Sequence, residues 1–358
     1  MKSDRGRDGK GAGGRPGPAA YDDLDRQLVH ALQLDGRAPF SRIAEVLGVS
    51  DQTVARRYTR LRSSGAIRVF GLTDPAQLGE VVWLVRVECE PDAAASVAEA
   101  LARRPDTSWV SMLSGGTEIV AVTRAATDED SDALLLRALP RTRQVVGMTA
   151  HLLLHTFFGG RHGLVNKSGA LTGRQVARLR GPDPVRDAAP AGPLTDQDRR
   201  MLEVLARDGR ARPAELAAVT GWSQTTARRR LAELAADGTL YFDVDYDHRV
   251  FGLGITAMLW LSVAPADLAA TGEALARHPE VGFACATTGP HNLLASVICA
   301  DVQALYTYLT TRIAALGAVR QMETSPRIRT VKGPGPLQVG PHASRPHGSG
   351  PHASRPHA

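Results

Sequence analysis

Nothing in this 358-residue chain is built to enter a membrane. No apolar run is long enough to span a bilayer, and the first residues lack the hydrophobic stretch of a signal peptide. The expected location is the cytoplasm, with no membrane partner. Cysteine is scarce: Cys89, Cys285 and Cys299 have no metal-ligand spacing and lie in apolar, strand-like runs. That excludes a disulfide framework and predicts buried, reduced thiols. Lysine is nearly missing, with only Lys2, Lys10, Lys167 and Lys332 among 43 basic residues. Together with abundant Ala and Gly, this bias points to a GC-rich genome. No Ser/His/Asp set, phosphate-binding loop or metal-ligand cluster stands out. No catalytic residue, metal or cofactor is therefore assigned.

What is present reads as globular and basic. Hydrophobic content of 43% and charged content of 22% are ordinary, and the length allows two or more domains with real cores. A net charge of +6 leans towards a nucleic-acid partner. The chain is organised around Ser50–Leu61 (SDQTVARRYTRL), which recurs as Ser223–Leu234 (SQTTARRRLAEL). Each is predicted to be a helix with a serine N-cap after a turn glycine, Gly48 or Gly221. Val54, Tyr58 and Leu61, or Ala227, Leu231 and Leu234, mark one buried face. The other face carries Gln52, Thr53, Arg56, Arg57 and Arg60, or Thr225, Thr226, Arg228, Arg229 and Arg230. A cationic, hydrogen-bonding helix face suits a major groove, where arginine neutralises phosphates or reads guanine edges. With Ser50 and Ser223, these are the candidate contacts to double-stranded DNA. A solvated charged face is the plain alternative for one such helix; context and a second copy argue against it.

Upstream, Leu24, Leu28, Ala31 and Leu32 form a helical stripe ending at Asp35-Gly36. A second helix over about Ser41–Leu47 and the Gly48-Val49 turn complete a helix-turn-helix. The piece Ile67–Phe70 is extended, as at the start of a wing. A different grammar follows. Strands are predicted at Val81–Glu88, Trp109–Leu113, Glu118–Thr123 and Val145–Phe157, with helices at Ala93–Arg103 and Asp130–Leu139. The order β-α-β-β-α-β is ferredoxin-like, an antiparallel sheet with helices on one face. Its other face is partly apolar and favours pairing sheet to sheet.

The pattern then repeats. Asp35-Gly36-Arg37-Ala38 matches Asp208-Gly209-Arg210-Ala211 at an offset of 173 residues (209 − 36), and Glu99–Arg103 matches Glu273–Arg277 at 174 (273 − 99). Register kept across both element types means a duplicated unit. The fold class is α+β: two copies of a winged helix-turn-helix followed by a ferredoxin-like βαββαβ domain. The predicted layout is a disordered basic tail (1–20), helix-turn-helix (21–70), βαββαβ domain (71–158) and linker (159–193). A second helix-turn-helix (194–242), a second βαββαβ domain (243–332) and a disordered His/Pro-rich tail (333–358) follow.

Several motifs carry a resemblance: Leu24–Leu28, Asp35-Gly36-Arg37, Gly48-Val49-Ser50, Val54–Arg57 and Ser64–Ile67, with Asp208-Gly209-Arg210, Gly221-Trp222-Ser223 and Arg229–Leu231 in the second half. The chain resembles the Lrp/AsnC family of transcriptional regulators over about residues 21–157 and 194–332. The resemblance implies a DNA-binding N-terminal domain and a second domain that dimerises and often takes an amino acid or related effector between subunits. It implies homo-oligomers and a nucleoid-associated protein. Two units in one chain imply a covalent pseudo-dimer, and the unlike helices an asymmetric operator. The family's effector loop aligns with Gly115-Gly116-Thr117-Glu118 and Gly289-Pro290-His291-Asn292. The candidate effector residues are thus Gly115, Thr117, Glu118, Gly289, His291 and Asn292, although Asn292 lacks the charge to hold an amine and both loops also serve as plain hairpin turns. Two other classes stay in view. The stretch His248-Arg249, Gly252, Met258, Trp260 resembles fused haem-pathway decarboxylases, and arginine-rich helices also fit an architectural DNA-binding protein.

Overall fold

The computed structural model of the protein describes residues 21–127, 129–130, 135, 143–180, 194–337 and 345–346. The N-terminal tail, most of the helix predicted at 130–139, the end of the linker and most of the His/Pro-rich tail lie outside the described residues.

The first unit runs α1 (Asp23–Leu34), α2 (Phe40–Leu47), α3 (Asp51–Ser63), β1 (Ile67–Thr73), β2 (Val81–Cys89), α4 (Ala94–Arg103), β3 (Thr107–Leu113), β4 (Glu118–Ala125) and β5 (Val145–Phe158). A helix α5 (Gly173–Leu179) follows. The second unit comprises α6 (Asp196–Arg207), α7 (Pro213–Thr220), α8 (Gln224–Ala236), β6 (Leu240–Tyr246) and β7 (Ile255–Val263). It ends with α9 (Leu268–Ala276), β8 (Val281–Thr287), β9 (Leu293–Cys299), α10 (Val302–Tyr308) and β10 (Val319–Thr330). The three cysteines are buried and unpaired.

Local chemistry sets the helix ends. Asp22 caps α1 and Thr195 caps α6 through reciprocal capping boxes with Asp25 and Asp198. The turns before α3 and α8 pass through Gly48 (φ 69°) and Gly221 (φ 75°), where a left-handed residue is needed to reverse the chain.

The pieces that read as starts of wings pair with each other. β1 and β6 form an antiparallel two-stranded ribbon from Ile67↔Tyr246 to Thr73↔Leu240. Phe70 faces Asp243, its own equivalent in the repeat (243 − 70 is again 173). The pseudo-twofold axis relating the units therefore passes through this pair.

The βαββαβ sheets close on each other by the same logic. β5 pairs with β2 through Val145–Leu152 and then with β8 of the second unit through Leu153–Phe158. β10 pairs with β7 through Val319–Pro326 and then with β3 of the first unit through Arg327–Thr330. Each last strand begins in its own sheet and ends on the other, so eight strands close into a ring. The apolar faces turn inward. Leu84, Leu113 and Val120 of one unit pack with Trp260, Cys285 and Leu294 of the other. Sheet-to-sheet pairing is satisfied within one chain.

The first part of the expected linker is structured. Val165, Leu171 and Leu179 are buried against the first helix-turn-helix. His30 Nδ1 accepts the Leu171 N–H at 3.2 Å, and Gln175 Nε2 donates to the Val46 carbonyl at 3.2 Å. Burial lowers the His30 imidazole to about 4, so it is neutral at physiological pH and fit to accept that bond.

On the axis, burial raises the Asp243 carboxyl to about 6, against bonds from Gln33 Nε2 at 2.9 Å and the Val244 N–H at 2.8 Å; neighbouring Asp245 adds to the rise. A carboxyl whose folded value lies above its ordinary 3.8 stabilises the fold at low pH. That contribution is lost as pH rises from about 4 through about 6. Asp243→Asn, which keeps an acceptor for Gln33, is expected to raise stability at pH 7 by on the order of 1–3 kcal/mol and to flatten this dependence. Denaturant unfolding at pH 4 and pH 7 reads both, and an unchanged pH 7 midpoint contradicts the assignment.

Candidate nucleic-acid interface

The candidate nucleic-acid contacts lie on the outward faces of α3 and α8. Ser50 and Ser223 are spent as N-caps: their Oγ atoms accept the N–H of Thr53 and of Thr226, each at 3.1 Å. The Thr53 and Thr226 hydroxyls lie 2.9 Å from the same serines. Gln52, Thr225, Arg56, Arg228 and Arg229 are exposed.

The arginines divide into two groups. Asp25, fully buried on α1, takes Arg57 at 2.9 Å and Arg60 at 2.5 Å, and Asp22 shares Arg57 at 2.6 Å. Asp198 on α6 holds Arg230 through Nε at 2.8 Å and Nη2 at 3.0 Å. A carboxylate that deep requires a cation, so Arg57, Arg60 and Arg230 brace the first and third helices of their domains. Arg229 pairs with Glu233 one turn on. Arg56 and Arg228 have no ion pair among the described residues and remain free cations. The first use went unseen in the sequence, where all six arginines were placed on one face. The signal was there: Asp25 and Asp198 repeat at the offset that relates Arg57 to Arg230.

The same motif that announced the duplication joins the two domains. Arg37 donates to the Gly209 and Ala211 carbonyls at 2.5 and 3.0 Å; Arg210 donates to those of Gly36 and Ala38 at 2.7 and 3.0 Å. Arg210 also lies over the rings of Phe40 and Tyr58, and Arg62 reaches Asp208 at 2.7 Å. Burial lowers both arginines from their ordinary values, helped by Arg210 at Arg37 and by Arg62 at Arg210, with Asp35 and Asp208 opposing the shift.

The six candidate effector residues do not form one open site. Glu118 is buried and ion-paired at 2.6 Å with Arg86, whose guanidinium also grips Glu323 of the second unit, with Nη1 to Oε2 at 3.0 Å, and stacks on Trp260 at 4.9 Å. The hydrogen bond from Arg86 holds the Glu323 carboxyl below its ordinary value. Gly115 (φ 82°) makes the tight turn, and the Thr117 carbonyl accepts the Cys89 N–H at 2.9 Å. In the second unit Asn292 is closed on the Val263 backbone by two bonds of 2.9 Å. The His291 carbonyl accepts from Thr287, and Gly289 lies against the His151 ring, where a Cβ would come within 2.6 Å of Nδ1. His248 and Arg249 lie in a turn after β6, with Arg249 paired to Asp247 at 2.6 Å. Among the described residues no His/Cys/Asp/Glu group is arranged to hold a metal, and no helix is long and apolar enough to cross a membrane.

Fold and interface together define a helix-turn-helix regulator built twice. The AsnC-type helix-turn-helix domain matches residues 22–62 and 194–235, and the Lrp/AsnC ligand binding domain matches 256–337. An HTH-type transcriptional regulator of Pyrococcus furiosus is 36% identical over 100 residues, which are 27% of this chain and 68% of that protein. The regulator LrpA of Pyrococcus abyssi is 32% identical over 111 residues, 30% of this chain and 79% of LrpA. The chain belongs to the Lrp/AsnC family of transcriptional regulators. Among solved structures, the siroheme decarboxylase NirDL superposes with a TM-score of 0.59 at 17% identity, over 87% of this chain and 93% of that one. That likeness concerns the fold.

Proposed function

We propose that one chain binds a specific double-stranded DNA site as a covalent pseudo-dimer and regulates transcription from it, on the nucleoid and without a catalytic step. The reciprocal bonding of Arg37 and Arg210 about the β1–β6 axis carries this reading. It fixes α3 and α8 as a related pair, each with a polar face outward. Recognition helices so related meet half-sites about 34 Å apart, or a multiple of that, on one face of DNA. Gln52, Thr53, Arg56, Thr225, Thr226, Arg228 and Arg229 are the contacts. Arg57, Arg60 and Arg230 support them from behind.

Footprinting of the purified chain at two salt concentrations tests the reading. Discrete protected sites support it. Diffuse binding that collapses with salt replaces it with an architectural role, and no binding returns the question to enzymes of the same fold. Arg56→Ala is expected to keep the melting temperature and flatten the salt dependence of binding by about one unit. Arg57→Ala is expected to destabilise the protein by about 1–3 kcal/mol, because Asp25 loses one of its cations. An Arg56→Ala protein with unchanged salt slope counts against Arg56 as a contact.

An amino-acid effector belongs to the proposal only by competing with Arg86 for Glu118. Calorimetric titration with free amino acids, on the native chain and on Arg86→Ala, tests it; no heat from either removes the effector at this site. Assembly of several chains is proposed through the outer strand surfaces, where Leu154 and Ile328 are exposed. Sedimentation giving only the single-chain mass rejects it.

A further inference from the structure

We infer that the two recognition helices read unlike half-sites, so that the operator is non-palindromic and one chain lies on it in a single orientation. This rests on the DNA-binding reading above and specifies its target.

The units share a scaffold to fine detail. The capping boxes, the Asp25–Arg57 and Asp198–Arg230 braces and the reciprocal arginine bonds all repeat. The outer faces do not. At the start of the helix, where side chains reach base edges, α3 exposes Asp51 and Gln52, and α8 exposes Gln224 and Thr225. An acidic side chain accepts only, as from a cytosine amino group, whereas Gln both donates and accepts, as to adenine. Asp51 Oδ1 already receives the Gln52 N–H at 2.8 Å, and the residue is otherwise exposed.

The free cations are also displaced. Arg56 corresponds to Arg229 and Arg228 to Ala55, at the offset of 173. Arg229 is held by Glu233, whose counterpart in α3 is Arg60. The unpaired guanidinium of the second unit therefore sits one residue earlier than that of the first. Successive helical residues differ by about 100° around the axis and about 1.5 Å along it. The second unit thus presents Arg228 where the first has Ala55, and shares its Arg229 with Glu233 where the first leaves Arg56 unpaired, so the two faces offer different donors while Arg37 and Arg210 hold the scaffolds in symmetric positions. No free choice of register remains, because the ribbon from Ile67↔Tyr246 to Thr73↔Leu240 fixes both domains.

The test is selection of bound sequences from a random duplex library with the full chain. The expected consensus has two different halves, and duplexes carrying either half twice are bound about tenfold more weakly or worse. Arg228→Ala is expected to erase the preference over one symmetrised duplex and Arg56→Ala over the other. A triple variant, Gln224→Asp, Thr225→Gln and Arg228→Ala, gives α8 the outer face of α3 at these positions and should move selection towards a palindrome. A palindromic consensus for the native chain, or symmetrised duplexes bound within about twofold of the selected site, overturns the inference and leaves the regulator reading standing. Enrichment of no sequence overturns both.

Discussion

Gly209→Ala is expected to lower the melting temperature by several degrees and abolish DNA binding, although Gly209 lies on neither recognition helix. The added methyl group would lie 2.8 Å from the Phe70 carbonyl carbon, 3.1 Å from the Gly71 nitrogen and 3.0 Å from a Val69 methyl. Two of these are main-chain atoms of β1, fixed by the ladder to β6, and cannot step aside. Gly209 N–H also donates to the Val69 carbonyl at 2.8 Å, and its own carbonyl receives Arg37. Relief of the clash therefore breaks the contact that sets the two domains in register. Overpacking of this kind costs about 1–3 kcal/mol, and rigid opposing atoms place it at the upper end. Gly36→Ala meets the Phe242 Cβ at 2.8 Å, which the β6 main chain holds in place, and a Val69 methyl at 3.0 Å, so a comparable loss is expected there. Gly48→Ala is the control: nothing lies within 4 Å, and only its left-handed φ of 69° is penalised, by about 1 kcal/mol. Thermal melting and footprinting of the three variants check this. Equal losses for Gly209→Ala and Gly48→Ala would sink the argument.

The glycines also show how much was legible beforehand. The duplication, the helix-turn-helix and the β-α-β-β-α-β order were all readable, because each rests on periodicity and short-range turn chemistry. Asp-Gly-Arg-Ala was visible as a repeat and read as a turn. Its purpose, an exchange of bonds between copies, depends on two segments 173 residues apart meeting, which no local pattern encodes. The partner of the wing strand was hidden for the same reason. Ile67–Phe70 is extended on its own merits, but its partner strand lies at Leu240–Tyr246 rather than in a hairpin. Half the assigned arginines are ion-paired with Asp25 or Asp198, a use that helix spacing alone does not reveal, because it gives a side chain's direction and not the carboxylate beside it. Glu118 shows the same limit at the seam. The sequence offered it as an anchor for an amine, and Arg86, folded over from β2, already fills that role.

Asp198→Ala is expected to be the most damaging of these changes, costing about 3–5 kcal/mol. The fully buried carboxylate has two structural duties. Its Oδ2 accepts the Thr195 N–H at 3.0 Å and the Thr195 hydroxyl at 2.8 Å, closing the first turn of α6. Both oxygens hold Arg230, tying α8 to α6. Without it Arg230 keeps only Glu233, at 3.3 Å, and the capping box of α6 loses the half that Asp198 returns to Thr195. The equivalent loss in the first unit should be milder, because Arg57 also pairs with Asp22 at 2.6 Å. Burial alone would push the Asp198 carboxyl up, but the bonds from Arg230 and Thr195 outweigh it and hold the group below its ordinary 3.8. A lowered carboxyl contributes stability that is present above about pH 4 and lost as pH falls through the folded value. The Asp198 contribution should therefore shrink on acidification, so the stability gap between the native chain and Asp198→Asn narrows over that range. Denaturant unfolding at pH 7 and pH 3.5 reads both effects, and Arg228→Ala with an unchanged midpoint separates loss of a contact from loss of the fold. If Asp198→Ala kept the native midpoint, the brace between α6 and α8 would carry no weight. The outward arrangement of Arg228 and Arg229 would then need another explanation.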